Sequence, residues 1–147
     1  MKIAQIMSSD VQVVTPEQPI QEAARLMITG DTGALPVREG EKLIGMVTDR
    51  DITVRAIAEG RGPDTPVREV MSENLLFAWD DQDVADVAIQ MSDAQVRRMP
   101  VLSRDGDRLV GIVSIGDLAV QGDSDAAEAA LSGVSEPGGE HNQSQGG

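Results

Sequence analysis

The feature that most constrains this chain is that it repeats itself. Sliding the sequence by 64 positions lays Ile6-Met7-Ser8 on Val70-Met71-Ser72, Ala24 on Ala88, Met27 on Met91 and Leu35-Pro36-Val37 on Met99-Pro100-Val101. A shift of 66 lays Leu43-Ile44-Gly45-Met46-Val47-Thr48 on Leu109-Val110-Gly111-Ile112-Val113-Ser114 and Asp51 on Asp117. The change from 64 to 66 falls between Glu39-Gly40-Glu41 and Ser103-Arg104-Asp105-Gly106-Asp107, where a hairpin turn tolerates length change. A duplication predicts two similar units, each marginal alone at about 60 residues and stabilised by its twin.

Each copy reads as a short helix (3–7 and 67–71), a strand (11–14 and 75–78), and an amphipathic helix (20–28 and 84–91). A hairpin follows (35–38 with 42–47, and 99–102 with 108–113), then a last helix opening at Thr48 or Ser114. In the first amphipathic helix the apolar face is drawn by positions 20, 23, 24, 27 and 28, with Gly30 as the stop. The order β-α-β-β-α predicts an α+β fold: tandem repeats with pseudo-twofold symmetry, sheets packed against each other and helices outside. The expected domains are 1–62 and 63–122, followed by an acidic tail, 123–147, which carries five acids and no Lys or Arg and is expected to be disordered.

Composition removes several function classes. Twelve basic against 25 acidic residues leave a net charge of −13, the opposite of the basic footprint of a nucleic-acid binder. No apolar run reaches membrane-spanning length, and the N-terminal residues make a poor signal peptide, so a cytoplasmic protein is expected. The chain has no cysteine, and its single histidine, His141, lies in the tail. Thiolate zinc sites, cysteine nucleophiles and histidine-based catalysis are therefore not expected, and no metal site is predicted. No enzyme is expected either. Trp79, the lone tryptophan, is read as a core or interface filler that could alternatively stack on a base.

The chemistry-bearing strings are Gly45-Met46-Val47-Thr48-Asp49-Arg50-Asp51 and Gly111-Ile112-Val113-Ser114-Ile115-Gly116-Asp117. In each, a glycine lets another group approach a strand, a hydroxyl caps a helix whose N–H groups can face an anion, and an aspartate three residues on can accept from a vicinal diol. The same pattern is also a capping box that stabilises a helix with no ligand at all. Its recurrence at equivalent places favours function. The repeats differ just upstream, where Gly33-Ala34 in the first corresponds to Arg97-Arg98 in the second.

These strings, with Leu35-Pro36-Val37 and Met99-Pro100-Val101 before them, resemble the cystathionine β-synthase (CBS) domain, and the tandem resembles a CBS pair, or Bateman module. The resemblance covers residues 1 to about 121. It implies a non-catalytic regulatory sensor binding an adenosine-containing ligand (AMP, ADP, ATP, S-adenosylmethionine or NAD) in the cleft between repeats. By that resemblance Asp51 and Asp117 hold ribose hydroxyls, and Thr48 and Ser114 lie against phosphate or ribose. Arg97 and Arg98, with Arg50 or Arg55, supply charge for phosphate. It also implies a homodimer, joined through an apolar face at Ile52, Val54, Ile57 and the region of Leu118 and Val120, and an effector protein acted on in trans. The alternative is a ligand-free structural dimerisation scaffold.

Overall fold

The computed structural model describes residues 1–121; the tail, with His141, lies outside the described residues. The fold is α+β, and the chain divides into two compact units. One is Gln12–Leu75; the other joins Met1–Val11 to the described residues from Leu76 onward. This partition differs from the sequence repeats at 1–62 and 63–122, because the leading segment of each repeat is packed with the body of the other.

In the Gln12–Leu75 unit, helix α1 (Ile20–Thr29) precedes strands β1 (Ala34–Glu39) and β2 (Lys42–Thr48). Helix α2 (Asp49–Ile52) runs into a π-helical turn, Thr53–Ile57, and the unit closes with a 3-10 turn, Val67–Glu69. In the other unit a 3-10 turn, Ile3–Gln5, packs with strand β3 (Ala78–Trp79), helix α3 (Val84–Ala94), strands β4 (Arg98–Ser103) and β5 (Arg108–Ser114), and helix α4 (Ile115–Gln121). The hairpins β1–β2 and β4–β5 are antiparallel, with matching bulges at Val37/Arg38 and Val101/Leu102. Their turns hold Gly40 (φ +64°) in one case and Gly106 (φ +76°) with Asp107 (φ +54°) in the other, so the insertion is absorbed where left-handed backbone is needed.

The two cores are built from corresponding positions. Val14, Ile20, Ala23, Met27, Leu35, Val37, Val47, Val67 and Val70 pack together in one unit. Their counterparts Ala78, Val84, Val87, Met91, Met99, Val101, Val113, Ile3 and Ile6 pack in the other. Ile3 and Ile6 therefore bury their side chains among residues about eighty positions along the chain, which is what carries the N-terminal segment into that unit.

Several expectations are corrected. The leading helices 3–7 and 67–71 shrink to single 3-10 turns. The leading strands shrink further, to a parallel bridge between Val14 and Val37 and to the two residues of β3. The residues before them, 11–13 and 75–77, lie in no ladder, and a glutamine closes the far end of each strand: Gln18 Oε1 accepts the Thr15 N–H at 2.8 Å, and Gln82 Oε1 accepts the Trp79 N–H at 2.8 Å. On α1, Ile28 is 81% exposed while Leu26 packs on the core, so the buried stripe is narrower than 20, 23, 24, 27, 28. Gly30 is the C-cap of α1, as expected, but its backbone is right-handed (φ −88°) and Asp31 takes the left-handed turn (φ +49°). A Cβ at Gly30 would stand 2.7 Å from Gln12 Oε1, the movable end of a side chain, and 3.3 Å from the Leu26 carbonyl.

Candidate functional site

Both signature strings fold alike. The Thr48 side chain accepts the Asp51 N–H at 3.0 Å, and the Asp51 carboxylate Oδ2 accepts the Thr48 N–H at 3.0 Å. Ser114 accepts the Asp117 N–H at 3.2 Å, and Asp117 Oδ2 accepts the Ser114 N–H at 2.9 Å. Each repeat thus contains a reciprocal capping box that satisfies two otherwise open donors. A hydroxyl oxygen that accepts in this way still has its own proton to donate, and the carboxylate retains its second oxygen. Each box therefore presents a hydroxyl donor beside a carboxylate acceptor, a combination suited to a sugar diol. The Asp51 side chain is 16% exposed. Its Oδ1 lies 3.9 Å from Arg55 Nε.

The strand registers place the upstream residues beside these boxes. Ala34 faces Thr48 across the β1–β2 ladder, and Gly33 O accepts the Asp49 N–H at 2.9 Å. Arg98 faces Ser114 across β4–β5, and Arg97 O accepts the Ile115 N–H at 3.1 Å. Arg97 and Arg98, both half-buried, are thereby placed at the Ser114 end of the hairpin, whereas Gly33 and Ala34 hold the same places at Thr48. Arg50 is exposed on α2; the Arg55 guanidinium instead donates to Val70 O at 3.3 Å and Met71 O at 3.0 Å.

The glycines of the strings serve a purpose that spacing alone did not show. A Cβ on Gly45 would meet Ser72 O at 2.7 Å and Met71 Sδ at 3.1 Å. One on Gly111 would meet Met7 Sδ at 2.5 Å and Ser8 O at 2.9 Å. The group that approaches each strand is the chain's own Met-Ser strap, bridged at Met46–Ser72 and Ser8–Ile112. The recurrence of Met-Ser at 7–8 and 71–72 was the available signal.

Trp79 is not a core residue. It is half-buried, packs edge-on against Phe77 with centroids 5.0 Å apart, and carries the Arg104 guanidinium 4.7 Å above its ring. Arg104 is in turn held by Asp81 at 2.8 Å. Leu118, expected on an exposed apolar face, is fully buried, and Ile52 is partly buried against the core; Val54 and Ile57 are exposed as expected. Among the described residues no helix is long and apolar enough to cross a membrane.

Duplicated α+β units, each ending its hairpin in a hydroxyl–carboxylate capping box, define a class of tandem-repeat proteins. The chain belongs to the CBS domain family, whose model matches residues 3–56 and 67–121. It is 45% identical over 130 residues to the CBS domain-containing protein YhcV of Bacillus subtilis, covering 88% of this chain and 91% of that one. Among solved structures it is similar to the CBS domain pair of protein MJ0100 in complex with 5′-methylthioadenosine and S-adenosyl-L-methionine, with 31% identity, a TM-score of 0.69, and 81% and 93% of the two chains covered. It is also similar to Hypoxic Response Protein I with two coordinated zinc ions, at 33% identity and a TM-score of 0.74, covering 82% and 98%. This chain has no cysteine, and no group of three or more His, Cys, Asp or Glu able to hold a metal occurs among the described residues.

Proposed function

We propose that this protein is a non-catalytic regulatory module that binds an adenosine-containing ligand through its two hydroxyl–carboxylate boxes. The observation that carries this reading is the recurrence of one box at equivalent places, Thr48 with Asp51 and Ser114 with Asp117. The adenosyl ligands of the MJ0100 pair support the ligand class. Asp51 and Asp117 accept from ribose hydroxyls, and Thr48 and Ser114 donate to ribose or phosphate. Arg97 and Arg98, beside Ser114, favour phosphate in one site, and Arg50 adds charge near the other. The ligand is AMP, ADP, ATP, S-adenosylmethionine or NAD, and the output passes in trans to an effector protein in the cytoplasm.

Calorimetry on wild type, Asp51→Asn and Asp117→Asn tests the reading. Hydrogen bonds to a charged acceptor contribute about 1.5–3 kcal/mol, so each variant loses about tenfold or more in affinity at its own site. Replacing Arg97 and Arg98 together by Ala weakens ATP and AMP far more than adenosine. If both Asp variants bind like wild type, the ribose role is refuted.

A second reading, a ligand-free dimerisation scaffold, is favoured by one observation: the exposed Val54 and Ile57, at 46% and 62%, leave apolar surface on the π-helical turn. A homodimer formed through that face is compatible with either reading. Failure of all the adenosyl ligands to bind, with a dimer disrupted by Ile57→Glu, selects the scaffold.

A further inference from the structure

Arg55 stands between the Asp51 carboxylate and the strap that ends the same unit. Its Nε lies 3.9 Å from Asp51 Oδ1, while its terminal nitrogen donates to Val70 O and Met71 O at 3.3 and 3.0 Å. The next strap residue, Ser72, exchanges two backbone bonds with Met46 on β2, at 2.8 and 2.9 Å. The π-helical turn Thr53–Ile57 carries Arg55 immediately after the capping box, and a π turn inserted in a helix is frequently found at functional sites. The arrangement is particular to the first repeat, because the shift of 66 that aligns Asp51 with Asp117 places Gln121 opposite Arg55.

The two oxygens of Asp51 have different employments. Oδ2 is engaged by the Thr48 N–H, so Oδ1 is the oxygen left for a ligand, and it is the one that Arg55 faces. We infer that Arg55 is a positioning residue that ties Asp51 to the strap at residues 70–72, so that a diol taking Asp51 Oδ1 competes with Arg55 and loosens the strap. This rests on the reading of Asp51 as a ribose acceptor and adds to it a route by which occupancy is felt away from the ligand. Arg55 is then a competitor of a phosphate-free ligand, not part of its grip. Its removal and the neutralisation of Asp51 have opposite effects on affinity.

The test uses adenosine, which has the diol and no phosphate, with calorimetry and amide hydrogen exchange at Met46 and Ser72. The full chain is compared as wild type, Asp51→Asn, Arg55→Met and the double variant; asparagine keeps an acceptor for the Thr48 N–H. Without ligand, Arg55→Met speeds exchange at both amides about tenfold, as expected for loss of charge-assisted bonds to two carbonyls. Asp51→Asn speeds it less, and the double variant no more than Arg55→Met. Equal rates in wild type and Asp51→Asn, or additive effects in the double variant, overturn the tie, whether or not a ligand binds.

With saturating adenosine, exchange at both amides speeds up several-fold in wild type and does not change in Arg55→Met, which binds adenosine as tightly as wild type or a few-fold tighter. If Arg55→Met instead weakens adenosine as Asp51→Asn does, Arg55 belongs to the binding surface and the inference fails while the function stands. If wild type binds no adenosine, the ribose reading and the ligand half of the inference fall together. Arg55→Gln, which has no charge to face Asp51 and a shorter reach toward the carbonyls, serves if Arg55→Met does not fold, and the same outcomes decide.

Discussion

Replacing Gly45 and Gly111 by alanine tests the strap packing directly, and the two positions should differ. At Gly45 the nearest atom to an added Cβ is backbone, Ser72 O at 2.7 Å, with Met71 Sδ at 3.1 Å. At Gly111 the nearest atoms belong to the Met7 side chain, Sδ at 2.5 Å and Cγ at 2.9 Å, with Ser8 O at 2.9 Å. A strap pushed outward loses the pair of backbone bonds that hold it, Met46 N–H to Ser72 O and Ser72 N–H to Met46 O in one unit, and the Ser8–Ile112 pair in the other. Overpacking costs about 1–3 kcal/mol and each lost bond about 0.5–1.5, so either substitution should destabilise by about 2–6 kcal/mol. In a chain of this size that lowers the melting temperature by roughly 5–20 °C.

Urea denaturation of the single variants, and of each in a background with its methionine shortened, separates side-chain from backbone collision. Gly111→Ala should cost clearly less in Met7→Ala, where the sulfur and Cγ are gone. Gly45→Ala should cost nearly the same in Met71→Ala, because Ser72 O has not moved. Denaturation midpoints of Gly45→Ala within experimental error of wild type would refute the packing account. Equal relief at the two positions would refute the distinction between them.

Removing the cap hydroxyls by Thr48→Ala or Ser114→Ala should each cost about 0.5–2 kcal/mol in urea denaturation, since each hydroxyl accepts one helix amide. Arg104→Ala should remove about 0.5–1 kcal/mol of cation–π attraction and change the emission of Trp79, the chain's one tryptophan, while Asp81→Asn should produce a smaller spectral change by loosening the same guanidinium. Gln82→Ala should free the Trp79 amide, read as faster hydrogen exchange at that amide, with Gln18→Ala doing the same at Thr15.

Much of the candidate site was legible in advance because its bonds are local. A hydroxyl and a carboxylate three residues apart at a strand-to-helix junction can close a capping box whatever surrounds them, and both boxes formed where the spacing placed them. The hairpins were legible for a similar reason, since alternation and turn residues act over a few positions. The neighbours of the boxes were not. That Arg98 lies across the ladder from Ser114, or that Arg55 reaches the carbonyls of residues 70 and 71, depends on strand register and on a π turn that no periodicity announces. The leading strands misled because an apolar run marks an extended segment but not its pairing, and only Val14, Ala78 and Trp79 meet a neighbouring strand.

By itself the sequence determined that there are two like units and where the hydroxyl–carboxylate boxes fall, because duplication and residue spacing are properties of order along the chain. Only the tertiary structure decided which segments complete which unit. Ile3 and Ile6 bury with the helix at 84–94, and Val67 and Val70 with the helix at 20–29, although each pair heads the other repeat. The two leading segments have nearly the same pattern, so local preference cannot choose between cores. Each segment is held in its unit by burial in that core and by the strap bonds to β2 and β5, which exist only once the distant strands are in place.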